Sequence, residues 1–113
     1  FAELLHAAKS DPTRSAEAIS AILDSPAAGY PATVRLYDLL RIGEYELAVD
    51  YALTAPSAEP VDLLVYAWSP SRTDFRNSPE FERFVREAGL LDYWEKRGWP
   101  DLCRPDSDGF ICD

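Results

Sequence analysis

The sequence predicts an all-α protein of stacked antiparallel helical hairpins with an irregular C-terminal cap. Three observations carry that expectation. Apolar residues recur at three- and four-residue intervals along most of the chain, the period of a helix with one buried face. Gly and Pro stand where helices should stop and start. Finally, residues 31–56 hold two such apolar faces separated by Ile42-Gly43-Glu44, the pattern of two helices folded back on each other.

Taken in order, Phe1, Leu4, Leu5 and Ala8 form one apolar stripe and read as the end of a helix. His6 lies off that stripe and receives no role. Ser10-Asp11-Pro12 is a helix start, with Asp11 as cap and Pro in the first turn. That helix should run to about residue 24, with Ala16, Ile19, Ile22 and Leu23 buried and Glu17 near the positive end of the dipole. Pro26 and Gly29 mark residues 25–30 as a loop. The first two helices should pair, and the third and fourth should pair after them.

The second pair is the best defined. Leu36, Leu39, Leu40 and Gly43 share one helical face, and Tyr45, Ala48, Val49 and Ala52 share another. Gly43 can adopt a positive φ just past the first of these helices, which ends it cheaply. Ala48 is small enough to let the two backbones approach closely. Residues 56–60 are a linker, and residues 61–68 a short apolar helix with Leu64, Val65 and Trp68 toward the core. Residues 72–77 cross over, pinned by Phe75, whose exposure would forfeit about 2 kcal/mol. Ser78-Pro79-Glu80 starts the next helix, with Phe81, Phe84, Val85 and Ala88 on its inner face and Gly89 at its end. A last helix follows over residues 90–97, with Leu91 and Trp94 inward and Gly98 closing it. The remainder is too rich in Pro to be helical. Trp99, Leu102 and Phe110 are expected to pack back as a cover for the naked end of the stack.

The residues Gly43, Tyr45, Ala48, Ala52 and Pro56 resemble the second half of a tetratricopeptide repeat, whose helical hairpins of about 34 residues stack into a solenoid. Val34 and Leu36 depart from the usual first-helix pattern. A second resemblance covers residues 78–103. Ser78-Pro79-Glu80-Phe81, Phe84, Gly89-Leu90, Tyr93-Trp94 and Gly98-Trp99-Pro100-Asp101-Leu102-Cys103 are similar to the closing segment of many bacterial tetratricopeptide-type proteins. Several of those are winged-helix regulators or nucleotide cyclases with an N-terminal output domain. The resemblance implies an interaction or sensing role. The groove residues it implies are Thr33, Tyr37, Leu40 and Arg41, since the first helix of each hairpin lines the inner face.

The chain is read as one domain over residues 1–113, with hairpins over 1–56, further helices over 57–98 and the capping tail over 99–113. It begins with Phe and contains no Met, so it is expected to be a fragment of a longer protein. A net charge of −9 argues against nucleic acid, whose phosphates need clustered Lys and Arg, and equally against an anionic membrane surface. No apolar run approaches the roughly 20 residues of a membrane span. Cys103 and Cys112 are the only cysteines. They are either two reduced thiols or a disulfide adding about 2–3 kcal/mol in an oxidising compartment. The location is accordingly open, cytoplasmic or, with the bond, extracytoplasmic.

No phosphate loop or nucleophile motif is present, and the one His and two Cys provide no zinc set. Asp106-Ser107-Asp108-Gly109 begins like a calcium loop but lacks the further oxygen ligands, so a turn is expected. The function expected is therefore a protein-interaction module and not an enzyme, without cofactor or metal, docking a protein or peptide or the upstream part of its own chain. The alternative is a structural cap or self-association domain of a longer solenoid.

Overall fold

The computed structural model describes Ala7 and residues 11–24, 30–107 and 109–113 of the chain. Of the expected helix over residues 1–9 only Ala7 is described, and it is helical; the rest of it, and most of the loop over 25–30, lie outside the described residues. The rest is mostly helical, with seven α-helices and one two-stranded sheet among the described residues. The chain divides into two compact units, residues 1–63 and 64–113.

In the first unit a 3-10 turn, Pro12–Arg14, leads into α1, Ser15–Asp24. Asp11 holds the entry: its Oδ1 accepts from the Thr13 backbone N–H at 3.0 Å and from Thr13 Oγ1 at 2.7 Å. The buried face of α1 is Ala18 and Ile22, while Ala16 and Leu23 are exposed, which corrects two positions of the expected stripe. An alanine-rich helix has little contrast between its faces, so its spacing alone does not choose between them.

Helices α2, Ala32–Arg41, and α3, Tyr45–Thr54, form the expected hairpin. Gly43 has φ +80°. Its N–H bonds the Leu40 carbonyl at 3.1 Å, and the Glu44 N–H bonds the Leu39 carbonyl at 2.9 Å. These are the two crossed bonds of a Schellman ending, which satisfy carbonyls the helix would otherwise leave open. Leu36, Leu39 and Leu40 are buried on α2, and Ala48, Val49 and Ala52 on α3. Helix α4, Pro60–Ala67, starts with Asp62 reaching back, its Oδ2 accepting the Glu59 N–H at 2.8 Å. Its buried residues are Leu63 and Ala67, whereas Val61 and Val65 are exposed. This corrects the expected Leu64 and Val65 face. Five apolar residues within seven positions fit more than one stripe, so periodicity gives no unique answer there.

The second unit continues with a 3-10 turn, Pro70–Arg72, a single helical turn α5, Thr73–Arg76, then α6, Pro79–Glu87, and α7, Leu90–Arg97. Ser78 caps α6: its Oγ accepts the Phe81 N–H at 3.2 Å, with Pro79 in the first turn. Gly89, at φ +80°, ends α6 and begins α7. Phe75, Phe81, Phe84, Val85 and Trp94 are buried. Together with Trp68, Trp99 and Phe110 the rings form one cluster, with neighbouring centroids 5.3 to 6.2 Å apart and several edge-to-face.

The tail is not irregular. Strands β1, Cys103–Asp106, and β2, Gly109–Cys112, pair antiparallel, with Cys103 opposite Cys112 and Asp106 opposite Gly109. The Asp113 N–H bonds the Leu102 carbonyl at 2.7 Å, which makes Cys103–Cys112 a pair without mutual hydrogen bonds. Alternation then puts Pro105, opposite Phe110, at another such position, where the absent N–H would point outward. Pro excludes a helix here, as expected, but not an edge strand. Ser107 takes φ +49° in the loop that joins the strands.

Candidate functional site

The residues assigned to a groove all lie on α2, and the structure separates them. Leu40 is buried with Leu36 and Leu39, so it belongs to the core and offers no contact surface. Thr33 is half-buried. Tyr37 and Arg41 do come together: the guanidinium carbon lies 5.7 Å from the ring centroid, one helical turn apart. Val34 joins them at i, i+3 and i+7, and Val34 and Tyr37 are each 40% exposed. The outer face of α2 is thus a stripe of Val34, Tyr37 and Arg41, opposite a fully packed face.

Beneath the stripe is a polar set that spacing alone did not reveal. Arg35 and Asp38 are buried. Tyr30 Oη donates to Asp38 Oδ2 at 2.6 Å, and Arg41 Nη1 lies 3.7 Å from Asp38 Oδ1. Arg35 stacks on the Tyr30 ring at 4.4 Å, donates from Nε to the Tyr30 carbonyl at 3.1 Å, and donates from Nη1 to the Ile22 carbonyl. Burial pushes the Tyr30 phenol well above the ordinary tyrosine range, and its bond to Asp38 adds to the shift. One signal for this set was available: Arg35 sits one residue before Leu36 and four before Leu39, within the arc of the apolar face. A charged residue there must find partners on burial.

These bonds fix α2 to Tyr30, two residues before it, and to α1, so the stripe stands on a braced support. The arrangement suits recognition. Tyr37 presents a flat apolar ring and Arg41 a planar donor fork matched to a carboxylate.

Cys103 and Cys112 form a disulfide across the C-terminal hairpin. Arg76, also missed, is buried behind it. Its Nε donates to the Asp113 carbonyl at 2.8 Å, and its Nη1 donates to the Ala67 and Ser69 carbonyls at 2.8 and 2.6 Å. Among the described residues no three His, Cys, Asp or Glu side chains converge as a metal site, and no helix is long and apolar enough to cross a membrane. No family model matches the chain, nor does any curated protein or solved structure.

Proposed function

We propose that this chain is a protein-interaction module, not an enzyme: a tetratricopeptide-like stack of helical hairpins at the C-terminal end of a helical-repeat region in a bacterial regulatory or signalling protein. The observation that carries the reading is the stripe of exposed Val34 and Tyr37 with half-buried Arg41, on a helix whose other face is packed. Aromatic and arginine side chains dominate the energetics of protein contacts, above all when already held in place. The partner is a peptide segment, from another protein or from upstream in the same chain. It brings an apolar side chain to Tyr37 and a carboxylate to Arg41. The Gly43 turn and the small Ala48 and Ala52 of α3 support the comparison with tetratricopeptide hairpins.

Peptides selected from a displayed random library on the purified chain test this. The expected binders carry an acidic residue, and their Kd rises at least about tenfold on both Tyr37→Ala and Arg41→Ala. Binders indifferent to both substitutions would reject the site.

A second reading, self-association, draws on Val61 and Val65, which lie one turn apart on α4 and are both more than half exposed. Light scattering across a concentration series tests it. A dimer abolished by Val65→Lys supports self-association, and a monomer throughout rejects it.

A further inference from the structure

We propose that the Cys103–Cys112 disulfide is a redox latch: it holds the C-terminal hairpin shut over the aromatic cluster, and its reduction frees the hairpin while the helices remain folded. This goes beyond the interaction reading and uses none of the α2 residues.

The argument starts from how little else holds the hairpin. Each strand has four residues. A lone two-stranded ribbon of that length is marginal in water. Ser107 sits in a left-handed conformation that L-residues adopt reluctantly. Among the described residues the hairpin's holds on the body include the Arg76 bond to the Asp113 carbonyl, a 3.4 Å bond from the Cys112 N–H to Asn77 Oδ1, the ring of Phe110, and Gly109 packed close against the Glu82 side chain. The disulfide is the covalent closure of this segment.

Phe110 is what the hairpin delivers. Its ring lies 6.1, 5.9 and 6.0 Å from those of Phe81, Trp94 and Trp99. Releasing the hairpin therefore uncovers an aromatic surface. The helices below have endings of their own, the Ser78 cap and the glycines at 89 and 98, and do not use the strands to satisfy them.

Access orders the chemistry. Cys103 and Cys112 are 4% and 3% exposed, so a dithiol reaches a sulfur only during a brief local opening with the bond intact, and reduction then makes that opening lasting. One reductant thiolate then attacks a sulfur, forming a mixed disulfide as the Cys103–Cys112 bond breaks. The second reductant thiol displaces the mixed disulfide. Two electrons and two protons pass to the protein, which gains two thiols, and the dithiol leaves as its own disulfide.

The test uses the 113-residue chain titrated with dithiothreitol. All three tryptophans, Trp68, Trp94 and Trp99, belong to the cluster, so tryptophan emission, excited at wavelengths that tyrosine does not absorb, reports this unit alone. Reduction should shift the emission to the red and speed amide exchange over residues 103–113 at least about tenfold, with the helical circular dichroism retained. Phe110→Ala should be reduced at least about tenfold faster than the unsubstituted chain, because opening precedes attack. Unchanged emission and exchange after reduction would overturn the latch, since the hairpin would then stand without its bond. Collapse of the helical signal on reduction would also overturn it, making the bond a staple of the whole unit. If Phe110→Ala loses its helices before reduction, the claim that they stand without the hairpin's ring fails as well.

Discussion

Among the described residues of 1–63 the core is mostly small and aliphatic: Ala18, Ile22, Leu36, Leu39, Leu40, Ala48, Val49 and Ala52 are all buried, with Tyr30 the buried ring. Residues 64–113 are packed by rings, with Phe75, Phe81 and Phe84 fully buried and Trp94 nearly so. The difference follows from element length. In the first unit three ten-residue helices have enough surface to pack through close, small-residue contacts, and α2 leaves Val34 and Tyr37 to solvent. In the second the helices have four, nine and eight residues. Helices that short bury enough area only with large side chains, and a hairpin with a disulfide covers the cluster they make. Each unit also buries an arginine, but to different ends: Arg35 braces one helix from behind, whereas Arg76 ties carbonyls at residues 67, 69 and 113 together.

The contrast breaks most visibly at the ring cluster. Phe81→Ala removes the ring that meets Trp68, Phe75, Phe84 and Phe110 and should cost about 4 kcal/mol, read by denaturant unfolding of the tryptophan signal. A loss under about 1 kcal/mol would mean that the cluster relaxes like a liquid. Next in size is Arg76→Met, which keeps the stem and strips the donors from three carbonyls, at a cost of about 3 kcal/mol by the same assay.

The first unit should respond more mildly. Tyr30→Phe leaves Asp38 without its 2.6 Å donor and should cost about 2 kcal/mol at neutral pH. It also carries a pH signature. The folded phenol holds its proton above the ordinary value, while the unfolded chain releases it near about pH 10. The contribution of Tyr30 is therefore complete below that pH and is lost as pH rises toward the folded value. The stability gap between the unsubstituted chain and Tyr30→Phe should narrow above about pH 10, and a gap that widens there would contradict the assignment. Smallest is Gly43→Ala. A Cβ there meets nothing within 4 Å, so only the left-handed backbone opposes it, for about 1 kcal/mol in thermal unfolding.

Where the sequence carried local rules, structure follows them. Gly43 and Gly89 take positive φ, Ser78 caps, and Phe75 is buried. Those features depend on a few neighbouring residues and their backbone chemistry. Three other features depend on distant ones and stayed hidden. The inward face of α4 is decided by tertiary packing, because Val61, Leu63, Leu64 and Val65 look alike to periodicity. The hairpin of residues 103–112 depends on a register in which Pro105 faces out. Arg35, Asp38 and Arg76 are buried because their partners lie elsewhere in the chain. The site was half legible for the same reason. The one-turn spacing of Tyr37 and Arg41 is local, while the burial of Leu40 is set by what packs against it.

The most direct test is a nuclear magnetic resonance titration of the isotope-labelled chain with a selected acidic peptide. The amides of residues 33–41 and the Arg41 side chain should shift, while the three indole N–H signals of Trp68, Trp94 and Trp99 stay in place. Shifts concentrated in residues 64–113, with α2 unmoved, would contradict the assignment of the contact surface to the outer face of α2.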